Sequence, residues 1–140
     1  EVVRPERVEA LAAPKLAKLL THWGERDGDT GLIALGPSGL AIGAAWYRFW
    51  TDADHSYGYV DAATPELGIA VRADWRGRGV GRRLMEGLVI EARRQHVGAI
   101  SLSVERDNPA RHLYERMGFE IAGDEGNAWT MLLKILNVLK

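Results

Sequence analysis

Eight consecutive residues, Arg76-Gly77-Arg78-Gly79-Val80-Gly81-Arg82-Arg83, constrain this chain more than any other feature. They stand between an apolar stretch, Leu67-Gly68-Ile69-Ala70-Val71, and a segment with helical spacing over 79–95. In that segment Leu84, Leu88 and Ala92 share a face with Met85 and Val89. The order is strand, glycine turn, helix. The first amides of a helix have no partner within it and carry partial positive charge. Glycine lets the backbone turn sharply and come close to a ligand, so this arrangement suits a phosphate. Arginines on both sides add planar forks of donors that match phosphate or carboxylate.

Charge counts sharpen the point. Residues 72–94 carry a net +4 with seven arginines and no lysine, residues 1–71 carry −4, and residues 95–140 carry −1. The total of −1 argues against a nucleic-acid partner, which needs a broad basic footprint. With no cysteine, disulfides, cysteine-ligated metals and thiol nucleophiles are excluded. The longest apolar runs fall short of the ~18 residues of a membrane span, and no secretory signal pattern is present. We therefore expect a cytoplasmic protein with no membrane partner. The 140 residues suit one domain over 1–140. The first residue is Glu1, so the native start is expected upstream.

Along the chain, residues 6–22 read as a helix interrupted at Pro14, and 31–35 as a strand. Gly36-Pro37-Ser38-Gly39 is a turn and 40–50 the returning arm of a hairpin. Residues 66–72 form a strand. Residues 99–104 alternate, with Ile100, Leu102 and Val104 opposite Ser101 and Ser103. Residues 109–117 are helical, and 119–122 and 127–136 are strands. This is a mixed α/β domain.

A Walker-type loop needs a lysine that the turn lacks. A dinucleotide fingerprint needs a third glycine where Arg82 or Leu84 stands. The turn instead resembles the acetyl-coenzyme A binding motif of the GNAT N-acetyltransferase superfamily, [QR]-x-x-G-x-[GA], here Arg76-x-x-Gly79-x-Gly81. A second segment, Asn108-Pro109-Ala110-Arg111-His112-Leu113-Tyr114-Glu115-Arg116-Met117-Gly118-Phe119, reads physically as a capped helix. Asn108 is its N-cap, Pro109 its first residue, and Gly118 its left-handed end. It also resembles the second motif of that superfamily, N-x-x-A-x-x-[LF]-Y-x-x-x-G-F, with Ala110 one position early.

The resemblance implies a mixed sheet of about seven strands, splayed between the fourth (66–72) and fifth (99–104), with acetyl-CoA in the splay. The family pattern opens with a strand and a helix ahead of the helix at 6–22, and both are expected to be missing here. It implies acetyl transfer from acetyl-CoA, as co-substrate, to a primary amine of a small molecule or peptide, with no metal. The pyrophosphate would lie on Arg76, Gly77, Arg78, Gly79, Val80, Gly81 and Arg82. The pantetheine arm would pair with Ile69-Ala70-Val71 by strand addition and touch Asn108. Tyr114 would protonate the departing thiolate, and a backbone donor near Ile69 or Val71 would meet the oxyanion. The base stays open between Glu66, then Asp61, and a water chain. The alternatives are a non-catalytic CoA sensor of the same fold and a dinucleotide-dependent oxidoreductase.

Other candidates are weaker. Asp52-x-Asp54-His55 lacks a spacing that converges metal ligands, and Ser38 and Ser56 stand outside any G-x-S-x-G context. Trp46, Tyr47, Phe49, Trp50, Tyr57 and Tyr59 cluster within 14 residues. One face of their strand is expected in the core and the other beside the acceptor amine, with Asp52, Asp54 and Asp61 favouring a cation. The apolar tail from Trp129 to Leu139 completes the sheet or meets a second copy in a homodimer.

Overall fold

The computed structural model describes residues 2–3 and 28–135. The strands are β1 (Val2–Val3), β2 (Thr30–Leu35), β3 (Ala41–Arg48), β4 (Glu66–Val71), β5 (Ala99–Glu105), β6 (Glu120–Asp124) and β7 (Ala128–Lys134). The helices are α1 (Val80–Arg94), α2 (Arg111–Met117) and a 3₁₀ turn at Ala73–Trp75. No helix among the described residues is long and apolar enough to cross a membrane. The chain divides into two compact units, Glu1–Arg48 with Gly68–Glu91, and Phe49–Leu67 with Ala92–Lys140.

In the first unit the strand order is β1-β2-β3-β4. β2 and β3 form the expected hairpin, running antiparallel from Thr30–Tyr47 to Leu35–Ala41. β3 is buried along Ile42–Arg48, so neither of its faces is open to solvent. Leu84, Met85 and Leu88 of α1 are fully buried, as their periodicity requires. Two glycines allow close packing. A Cβ on Gly68 would lie 2.5 Å from the Trp46 indole, and one on Gly87 2.8 Å from Leu32. At the hairpin mouth Arg48 donates twice to Asp29, Nε to Oδ1 at 2.9 Å and Nη2 to Oδ2 at 2.8 Å, and both side chains are 2% exposed.

One expectation is corrected. A first strand was expected to be missing, yet Val2 and Val3 pair antiparallel with Ala34 and Ile33. Two residues are too few to display the period-two pattern, and it is the edge of β2 that makes them a strand. The helix expected at 6–22 lies outside the described residues, as do residues 136–139 of the apolar tail.

In the second unit the order is β4-β5-β7-β6. β4 runs parallel to β5 through the pair Glu66–Ser101, and Ser101 N–H donates to the Pro65 carbonyl at 3.0 Å. β5 pairs antiparallel with β7 from Ala99–Lys134 to Glu105–Ala128. The alternation in 99–104 holds, with one exception. Ser101, expected on the polar side, is fully buried, whereas Ser103 is exposed.

Candidate active site

The glycine turn lies in the first unit. Arg72 N–H donates to the Ile42 carbonyl at 2.8 Å and ties the end of β4 to β3. The 3₁₀ turn follows, and then Gly77 and Gly79 take left-handed φ of +76° and +81°. Non-glycine residues pay about 1–2 kcal/mol there. A Cβ at either position would meet nothing within 4 Å, so backbone conformation and not crowding demands glycine. The first bond of α1 runs from Arg83 N–H to the Gly79 carbonyl at 3.1 Å. The amides of Val80, Gly81 and Arg82 are therefore left without acceptors inside the helix. This donor-rich, open turn fits the pyrophosphate of acetyl-CoA.

The arginines are less uniform than their count suggests. Arg72 donates to Asp74 at 3.2 Å, and this partner holds the Asp74 carboxyl below its ordinary pKa. Arg82 lies 3.5 Å from Glu86. Arg78 folds back over the Trp75 ring, 4.6 Å from its centroid.

Glu66 and its surroundings lie in the second unit. Glu66 is only 9% exposed, which rules out a solvent-facing strand-end acid. Its Oε2 accepts the Gly58 N–H at 3.0 Å, and its Oε1 has no partner among the described residues. Burial raises its pKa, against smaller opposing pulls from the Gly58 amide, the Ser56 hydroxyl and His55. A Cβ on Gly58 would lie 2.8 Å from the Leu102–Ser103 backbone and 2.9 Å from Glu66 Oε2, so only glycine lets this loop deliver its amide. Ser101, the register partner of Glu66, also buries a hydroxyl without a partner among the described residues. Gly58, Ser56 and Ser101 carried no signal in the sequence, because a loop contact eight residues away and a strand register leave no periodicity to read.

The loop is bound to itself as well. Tyr59 donates to Asp52 at 2.7 Å, which pushes the phenol up to about 12. Its ring stacks on His55 with centroids 4.4 Å apart, and His55 Nδ1–H donates to the Ser56 carbonyl at 2.9 Å. Tyr57 is 80% exposed. Asp61, the second candidate base, is exposed and accepts the Ala63 amide at 2.9 Å.

Asn108 and Tyr114 bracket α2. The Asn108 Oδ1 accepts the Ala110 amide at 2.9 Å in the turn ahead of the helix, so the expectation that Asn108 is the N-cap is corrected: Ala110 holds that position and makes no side-chain cap bond. The regular helix begins at Arg111 rather than Pro109, because the first turn closes with tighter bonds from Arg111, His112 and Leu113 to Asn108, Pro109 and Ala110. At the other end Gly118 has φ +103°. Gly118 N–H donates to the Glu115 carbonyl at 3.0 Å and Phe119 N–H to the Tyr114 carbonyl at 3.0 Å, a Schellman end. The accompanying apolar contact is Tyr114 against Phe119, centroids 5.9 Å apart. Tyr114 is 6% exposed, and burial pushes its phenol up to about 12.

A glycine turn between β4 and α1 and a tyrosine on a glycine-ended helix after β5 define an acyl-CoA N-acyltransferase type of domain. The chain belongs to the acetyltransferase (GNAT) family, whose model matches residues 3–119. It is 34% identical over 99 residues to an L-methionine sulfoximine/L-methionine sulfone acetyltransferase of Pseudomonas aeruginosa, covering 70% of this chain and 55% of that protein. It is 31% identical over 132 residues to a streptothricin acetyltransferase of Streptomyces lavendulae, covering 82% of this chain and 62% of that one. The chain thus spans little more than half the length of these relatives. Its fold matches a GCN5-related N-acetyltransferase from Kribbella flavida with a TM-score of 0.73, 20% identity and 96% of each chain covered.

Proposed function

We propose that this chain transfers an acetyl group from acetyl-CoA to the primary amine of a small molecule. The reading is carried by a pair of buried titratable groups, Glu66 and Tyr114, both pushed up by burial in a chain of this family. The relatives named for methionine sulfoximine and streptothricin support a small-molecule acceptor.

Bound acetyl-CoA supplies a thioester. The amides from Gly77 to Arg82 hold its pyrophosphate, and Ile69-Ala70-Val71 offer a strand edge to its pantetheine arm. Asn108 spends its side-chain oxygen on the Ala110 amide, which leaves the NH₂ to donate to the cofactor. An acceptor amine is an ammonium at neutral pH and must lose a proton before it can attack. Glu66 takes that proton, because its raised pKa brings it closer to the range in which a carboxylate is an effective base. Tyr114 keeps its own proton at neutral pH and directs it at the leaving sulfur. A phenol at about 12 lies above a thiol near ~8.5. Complete transfer is therefore uphill in the free protein, and Tyr114 acts first as a hydrogen-bond donor to the developing thiolate.

Release of free CoA should be measured with amino acids and their sulfur-oxidised analogues, polyamines, aminoglycosides and peptide N-termini. Turnover on one class identifies the acceptor. Tight binding of acetyl-CoA with no turnover on any would move the chain to a cofactor-binding role without catalysis.

A further inference from the structure

The surroundings of Glu66 extend to a second side chain, Ser101. The two are register partners across the parallel strands β4 and β5, so their side chains leave the sheet on one face. The Ser101 amide donates to the Pro65 carbonyl at 3.0 Å, which holds that register one residue ahead of Glu66. The loop around Gly58 closes against both strands. A Cβ on Gly58 would lie 2.8 Å from the Leu102 carbonyl carbon and the Ser103 nitrogen, and 2.9 Å from Glu66 Oε2. Ser101 is fully buried there, whereas Ser103, two residues on along the same face, is exposed. Burial is thus particular to the serine beside Glu66.

The two oxygens of Glu66 are unlike. Oε2 accepts the Gly58 amide at 3.0 Å, while Oε1 and the Ser101 hydroxyl have no partner among the described residues. Buried polar groups in native proteins bond to protein or to an ordered water, and one water can serve two such groups at once. A hydroxyl donates to that water, and the water donates to the carboxylate. We propose that Ser101 is a positioning residue for Glu66: its hydroxyl and Glu66 Oε1 hold one buried water between them, which fixes the carboxylate and favours its charged form. This rests on the reading of Glu66 as the base. The carboxylate must be charged to take a proton from the amine, and burial opposes that charge. A second donor offsets the burial. The other groups acting on Glu66 come from the loop: the Gly58 amide, the Ser56 hydroxyl and, through its charge, His55. Asp52, Asp54 and Asp61 of the loop are exposed, and β5 carries no titratable side chain before Glu105.

The test follows the Glu66 carboxyl by carbon NMR titration, and the acidic limb of kcat/KM with an acceptor that turns over. Both are measured in wild type, Ser101→Ala and, as a control on the same strand face, Ser103→Ala. Ser101→Ala removes one buried oxygen and breaks no bond between described side chains, so the fold stays intact. Losing a hydrogen bond to the charged form raises a pKa. Ser101→Ala should therefore move the Glu66 titration and the acidic limb upward together by about one unit. Ser103→Ala should leave both in place. A Glu66 titration that stays put in Ser101→Ala, or moves down as it would if the hydroxyl bonded the neutral acid, overturns the proposal and leaves acetyl transfer standing. An equal shift in Ser103→Ala overturns it too. A titration that rises while the limb stays put also overturns it, because Glu66 is then not the base. Absence of turnover with every acceptor overturns the acetyl-transfer reading, and the NMR titration then decides the pairing of Ser101 with Glu66 by itself.

Discussion

Glu66 and Tyr114 are two titratable side chains taken out of water, and each can be tested by removing one functional group. Glu66→Gln keeps the size and an oxygen for the Gly58 amide but cannot accept a proton. Turnover should fall by about 10²–10³-fold. The acidic limb of the wild-type pH–rate profile should lie above the ordinary glutamate value and disappear in the variant. Stability should respond as well, with the sign set by linkage. A carboxyl whose folded pKa is raised stabilises below its unfolded value, near ~4.3, and loses that contribution as pH climbs through the raised value. Glu66→Gln should therefore be at least as stable as wild type at pH 7, with the difference shrinking toward pH 4, measured by urea denaturation at both. For Tyr114→Phe the ring stays on Phe119 and only the hydroxyl goes. Turnover should drop about 10–100-fold while CoA affinity stays within about threefold. Unchanged turnover would reduce Tyr114 to a packing residue.

At the scale of elements, three glycines do different jobs, and alanine separates them. Gly79→Ala meets open space but a left-handed backbone, so it should cost about 1–2 kcal/mol and weaken CoA binding through the displaced amides. Gly118→Ala also breaks a left-handed end and brings its Cβ to 3.4 Å from Leu133. It should lower thermal stability by a similar ~1–2 kcal/mol and loosen the seat of Tyr114. Gly58→Ala has no such φ, and its Cβ would be driven against the β5 backbone. Activity should fall more than stability, because the donor to Glu66 moves. Comparing melting temperatures with turnover for the three distinguishes these outcomes. The turn and the glycine end of α2 were legible in the sequence because their signals are local: glycines at fixed offsets and an apolar face of period 3.6. The start of α2 was not, because a tighter first turn moves it past Asn108 and Pro109. Gly58 was not legible, because what it avoids lies more than forty residues along the chain.

At the scale of the molecule, each unit depends on contacts that composition does not announce. Arg48 and Asp29 are 19 residues apart and buried together. Arg48→Met should cost about 3–5 kcal/mol, read by chemical denaturation, since it buries a carboxylate without its guanidinium. A much smaller loss would show that water reaches Asp29. The net charge of −1 is likewise an average over unlike parts. Its arginine-rich stretch includes Arg72 and Arg82, paired with acids, and Arg78, laid on Trp75. By itself the sequence determined the class of fold, the glycine turn ahead of α1 and the glycine-ended helix that carries Tyr114, because each is specified by residues within a few positions of one another. Tertiary structure alone decided that Glu66 is buried, that Gly58 and Ser101 stand beside it, and which arginines remain for a ligand. Desolvation and pairing depend on what the fold brings near, and separation along the chain carries no record of that.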